Sequence, residues 1–154
     1  MGGLWVAGRE VVASRTTADV VAARIMAGAR PGDVVVTCPH QLSPALHRIL
    51  ERSPVHLDER SFPRGSTPRR VNWIDYAARA KQALPAAEAR RLVRTYGDRT
   101  LWLVVSTTSA PTEWACTTLL YALRDAADVG RLIRADQPNI VEHGALWRFD
   151  LGNT

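Results

Sequence analysis

The sequence predicts an α/β fold, specifically a small three-layer, Rossmann-like sandwich with a mostly parallel sheet and an edge strand at the C-terminus. Three observations point there. "DVVVTC" (33–38) and "TLWLVVS" (100–106) are unbroken β-branched and apolar runs, the pattern of strands covered on both faces. Segments with helical spacing and end signals lie between the strand candidates, which is how parallel strands with right-handed crossovers are built. Finally, 154 residues at 46% hydrophobic can bury roughly 70% of the surface exposed when unfolded, enough for one ordinary core.

The elements follow in order. "MGGLWVAG" (1–8) is short, glycine-rich and apolar, and reads as a linker or the stub of a preceding element; 9–151 reads as a single α/β domain and 152–154 as a tail. In "TTADVVAARIMAGARPGD", Thr16 or Thr17 caps a helix carrying Val20, Val21, Ala23, Ile25 and Met26, and Gly28 with Pro31-Gly32 stops it. After the strand at 33–38, Ser43 is the expected cap of "SPALHRILERS", with Pro44 at the first helical position and Leu46, Ile49 and Leu50 on one face. "PVHLDERSF" is a shorter strand. "NWIDYAARAKQAL" and "PAAEARRLVRTYG" are two helices broken at Pro85, the second ending on Gly97 as a left-handed cap. "EWACTTLLYALRDAA" is a helix with Leu119, Leu120 and Leu123 inward, and "VGRLIRAD" a further strand. "ALWRFDL" alternates Leu146, Arg148 and Asp150 against Trp147, Phe149 and Leu151, an edge strand with one wet face.

Composition narrows the function. The net charge is +5, but the twenty basic residues, of which only Lys81 is lysine, are interspersed with fifteen acids. That suits a solvated surface better than a nucleic-acid stripe, so no nucleic-acid partner is expected. No run reaches the roughly 20 apolar residues of a membrane span. His40, His47, His56 and His143 show no metal-ligand spacing, and two cysteines do not make a closed zinc site, so no metal is expected. No glycine-rich phosphate fingerprint follows the first strand, and no cofactor is expected.

In a doubly wound sheet, ligands sit beyond the carboxyl ends of strands where the winding reverses. The loops after the two best strands hold Cys38, His40, Gln41 and Ser43 on one side, and Ser106, Thr107, Thr108, Ser109, Glu113 and Trp114 on the other. His40, Gln41, Ser43, Thr107, Thr108 and Trp114 are therefore the candidate ligand-binding residues; Ser43 and Thr112 also suit plain helix capping. Trp114, an indole beside hydroxyls, has the apolar face and polar edge that stack on sugar rings. Cys38 near a helix N-terminus has the setting of an activated thiol, but a phosphatase loop requires Arg six residues on, where Pro44 stands. "RSFPRGSTPRRVNWIDYA" mixes four arginines with aromatics, which fits either phosphate contact or plain solvation. If the two strands are neighbours, Cys38 and Cys116 share the carboxyl edge. They are then either a bridge worth roughly 4 kcal/mol or two buried thiols packing as small hydrophobes.

Taken together, "REVVASRTTADVVAARI", "RPGDVVVTCPHQLSPAL", "FPRGSTPRRVNWIDYAARA", "GDRTLWLVVS" and the late Cys116 resemble the soluble C-terminal domain of actinobacterial polytopic membrane glycosyltransferases, mannosyltransferase-like enzymes that use polyprenyl-phosphate sugars. The resemblance spans about 8 to 150. It implies a domain outside the cytoplasm, following the last membrane helix, with "GGLWVAG" as the exit from that helix. It also implies a Cys38 to Cys116 disulfide, since such a bridge persists in an oxidising compartment. The acidic residues associated with sugar transfer in that family lie in the membrane portion, so no catalytic residue is carried over. The expected partners are that membrane portion of the same polypeptide and a glycan or polyprenyl-phosphate sugar. The expected role is a non-catalytic accessory domain in cell-envelope glycan assembly. The other readings are a free-standing small enzyme with a Cys38/His40 crevice and a protein-interaction module.

Overall fold

The computed structural model describes residues 17–64, 68–107, 112–127, 129–134 and 144–152, apart from the side chain of Trp73. The elements among them are α1 (Thr17–Gly28), β1 (Val34–Cys38), α2 (Ser43–Leu50), β2 (Asp58–Ser61), α3 (Trp73–Lys81), α4 (Pro85–Tyr96), β3 (Thr100–Val105), α5 (Glu113–Ala126), β4 (Val129–Arg134) and β5 (Ala145–Asp150). The fold is α/β, built on one mixed five-stranded sheet in the order β2-β1-β3-β5-β4. β1 pairs in parallel with β2 and β3, whereas β5 runs antiparallel to both β3 and β4.

Chain handedness explains which helix covers which face. A right-handed crossover from β1 to its neighbour β2 puts α2 on one side of the sheet. The chain then travels back over β1 to β3, and reversing the direction of travel puts α4 on the other side. The step from β3 to β4 continues the same way, so α5 joins α4. The packing follows this pattern. Val21, Ala22 and Ile25 of α1 and Leu46 and Leu50 of α2 bury Val35, Trp102, Val104 and Leu146. Ala89, Leu92 and Tyr96 of α4, with Cys116, Leu119 and Leu123 of α5, bury Val34, Val36, Leu101, Leu103 and Phe149. Odd and even strand positions thus feed opposite cores, and this is why β1 and β3 read as continuous apolar runs.

The sheet differs from the expected one in two respects. Half of its ladders are antiparallel, and the C-terminal strand is not an edge: β5 lies between β3 and β4, and the edges are β2 and β4. The reason is that both faces of β5 are needed. Leu146 and Phe149 are fully buried, one in each core. The face read as wet carries Arg148, whose guanidinium lies 5.5 Å from the Trp102 ring centre and pairs with Asp150 at 2.9 Å. That arrangement satisfies the charge beside an apolar neighbour. β4 supplies the exposed edge instead, with Leu132 and Ile133 at the surface.

Two end signals also resolve differently. Ser43 is the first helical residue of α2, the N-cap position being Leu42. Gly97 closes α4 in a right-handed conformation (φ −59°), so a left-handed cap is not formed there. The glycine that needs its freedom is Gly32, at φ +86° in the turn leading into β1. Thr17 is the first residue of α1; Thr16 lies outside the described residues, as does the stub at 1–8.

Candidate functional site

The winding reverses at β1 and β3: from their adjacent carboxyl ends the chain leaves to opposite faces, through α2 and α5. This is the crevice where an open α/β sheet presents ligands. Here it is closed by sulfur. Cys38, the last residue of β1, is bonded to Cys116 in the first turns of α5, with the Cα atoms 5.5 Å apart. The two strands are indeed neighbours, Cys38 standing opposite Val105. Both sulfurs are wholly buried. A bridged sulfur carries no thiolate, so in this state Cys38 has no nucleophilic role.

The polar side chains around the bridge are buried as well. His40, Ser106 and Thr112 are fully buried and Ser43 nearly so. The Ser106 amide donates to the Cys38 carbonyl at 2.8 Å, extending the β1–β3 ladder by one bond. Ser43 Oγ is hydrogen bonded to Thr37 Oγ1, and Thr37 Oγ1 also donates to the Arg60 carbonyl at 3.3 Å, joining β1 to β2. Thr112 precedes α5, but its side chain caps nothing; its Oγ1 accepts from Tyr76 Oη at 3.5 Å and so ties α3 to this edge. Burial raises the pKa of the Tyr76 hydroxyl above its ordinary value, against the opposing influences of that hydrogen bond and of Arg79. Both hydroxyls expected as simple caps therefore link elements across the sheet edge. Helix capping by a side chain occurs instead at Asn72, whose Oδ1 accepts from the Ile74 amide.

Of the six candidate ligand contacts, His40 and Ser43 are thus interior. Gln41 and Thr107 are half-buried, Trp114 is 63% exposed, and Thr108 lies outside the described residues together with Ser109 and His143. Gln41 Oε1 is a buried acceptor with no hydrogen-bond partner among the described residues. What remains accessible among these candidates is the Trp114 indole, with Gln41 and Thr107 partly exposed. That set suits uncharged hydrogen bonding and ring stacking.

Two features away from this edge were not assembled by sequence reasoning. His47 Nδ1 lies 2.9 Å from Glu59 and its Nε2 3.4 Å from Glu51, with Arg69 Nε donating to the same Nε2 at 3.3 Å. Among the described residues, no three His, Cys, Asp or Glu side chains are grouped to hold a metal ion. The second is an arginine-lined cavity beside β2. Arg64 came from the "FPRGSTPRR" stretch already noted for phosphate contact, but Arg79, Arg91 and Arg94 lie on α3 and α4, and only the tertiary fold brings them alongside it. No described helix is long and apolar enough to cross a membrane. Compared with family models, curated proteins and solved structures, the chain has no significant match in any of the three.

Proposed function

We propose that the chain is an extracytoplasmic, non-catalytic accessory domain of a mannosyltransferase-like membrane glycosyltransferase, acting in actinobacterial cell-wall glycan assembly. Within that reading the α/β sandwich is Rossmann-like in ancestry, and its carboxyl edge binds acceptor glycan or positions the membrane-embedded active site. The carrying observation is the Cys38–Cys116 bridge, because a buried structural disulfide belongs to an oxidising compartment. The sequence resemblance supplies the family. The exposed Trp114, two positions before the bridged Cys116, supports the choice of ligand: an indole held on a stapled helix start offers an apolar face to a sugar ring with little conformational entropy to lose. Thr107, partly exposed on the loop after β3, adds a hydroxyl.

The test is titration with mannose and arabinose oligosaccharides while amide and indole resonances are followed. Saturable shifts at Gln41, Thr107 and Trp114, abolished by Trp114→Ala, are the expected result. Shifts confined to another face remove this edge as the binding surface. No shift with either sugar series removes the glycan role.

A further inference from the structure

The cavity beside β2 carries an inference independent of the glycan surface. It has a volume of about 470 Å³, within the range of small-molecule sites. Its apolar lining comes from Phe62 after β2, from Ala83 and Leu84 in the α3–α4 connection, and from Ala87 in the first turn of α4. Four guanidinium groups line the rest, from Arg64, Arg79, Arg91 and Arg94, and among the described residues Glu88 is the one carboxylate in the lining, a net of three positive charges there.

The charges are held in place by an internal framework. Glu88 is nine-tenths buried, and both its oxygens are engaged: Arg91 grips it through two bonds at 2.9 and 2.5 Å, and Arg64 adds a third at 3.2 Å. Burial is the largest single influence on this carboxyl and pushes its pKa up, but the two arginines outweigh it and hold it below the ordinary value. One carboxylate thus fixes two guanidiniums and leaves one charge in excess. Arg79 is braced by Asp75 at 3.0 Å and by the backbone carbonyls of Arg64 and Asn72 at 2.6 and 3.1 Å, which uses three of its five N–H donors. Arg94 is exposed and has no ion pair among the described residues.

We propose that this cavity is a binding site for a small organic phosphate. The phosphate would be met by the spare donors of Arg79 and by Arg94 within the field of the Arg64–Glu88–Arg91 group, with an apolar body over Phe62, Ala83 and Leu84. A dianion matches the surplus of positive charge, and planar guanidinium forks match phosphate oxygens. A bare phosphate would leave the apolar lining uncovered, so an organic substituent contributes to affinity.

The experiment is calorimetric and NMR titration of the chain with phenyl phosphate, inorganic phosphate and phenol. Phenyl phosphate binds in a saturable way with shifts at Ala83, Leu84 and Ala87. Inorganic phosphate binds more weakly, phenol fails to bind, and added salt weakens phenyl phosphate binding. Arg94→Gln, at an exposed position with no folding role, weakens phenyl phosphate by about tenfold. Arg90→Gln, on the same helix outside the cavity, leaves it unchanged. The proposal is overturned by phenol binding as tightly as phenyl phosphate, by Arg94→Gln binding like the parent, by shifts lying elsewhere, or by no saturable binding at millimolar concentration.

Discussion

Reducing the Cys38–Cys116 bond while leaving both sulfur atoms in the chain isolates the contribution of the crosslink from that of packing. The bridge closes a loop with a sequence separation of 78. In the chain-entropy description, releasing a loop of that length restores freedom to the unfolded chain worth about 4.5 kcal/mol at 25 °C. For a chain of 154 residues that corresponds to a melting temperature lower by roughly 14 °C. The assay is denaturation by guanidinium with and without phosphine reductant, followed by circular dichroism and Trp fluorescence. The oxidised chain has the lower slope as well as the higher midpoint, because its crosslinked unfolded state exposes less surface. A difference below about 1 kcal/mol between the two forms would mean that the unfolded state gains little freedom when the crosslink is released, contrary to the chain-entropy description.

Further predictions concern the groups that hold the two faces together. Glu88→Gln leaves two arginines without their carboxylate and lowers stability at neutral pH by about 1.5–3 kcal/mol, read from urea denaturation. Because the folded carboxyl lies below its ordinary value, the parent keeps this contribution above the normal Glu range and loses it as pH falls through and below that range; the variant lacks this acid-dependent loss. Tyr96→Phe keeps the ring in the core but removes the hydroxyl that donates to Asp58 and accepts from Arg60, at a cost of about 1 kcal/mol by the same assay. Burial and the Asp58 hydrogen bond raise the Tyr96 pKa, so the folded chain resists losing that proton and stability falls as pH rises past about 10. Gly130→Ala places a methyl 2.7 Å from Cε1 of the fully buried Phe149, and a melting temperature equal to the parent's would contradict the tight packing of β4 on β5.

What the sequence made legible was local. The runs at β1 and β3 were unambiguous because strands buried on both faces leave no polar alternation to misread. The break at Pro85 was equally clear, since proline removes a helical donor and suits a first helical position. β5 was misplaced because alternation reports which residues share a face and not what covers that face. Arg148 over Trp102 gives the same pattern as an arginine in water. The antiparallel insertion of β5 depends on where the chain returns after β4, and no residue type signals that. At the sheet edge, chemistry-bearing residues were identifiable by type, but their accessibility was not. His40 and Ser43 lie inside, behind the bridge, while Trp114 stays out. The arginine cavity was legible only in part, through Arg64, because its other guanidiniums come from helices distant in sequence.

The proposed extracytoplasmic setting requires that Cys38 and Cys116 be joined in the living cell. The most direct measurement is thiol trapping in intact cells of the native host, with alkylation before lysis and mass spectrometry of the peptides holding Cys38 and Cys116. A linked pair with no alkylated cysteine is the expected result. Both cysteines recovered as alkylated monomers would contradict it.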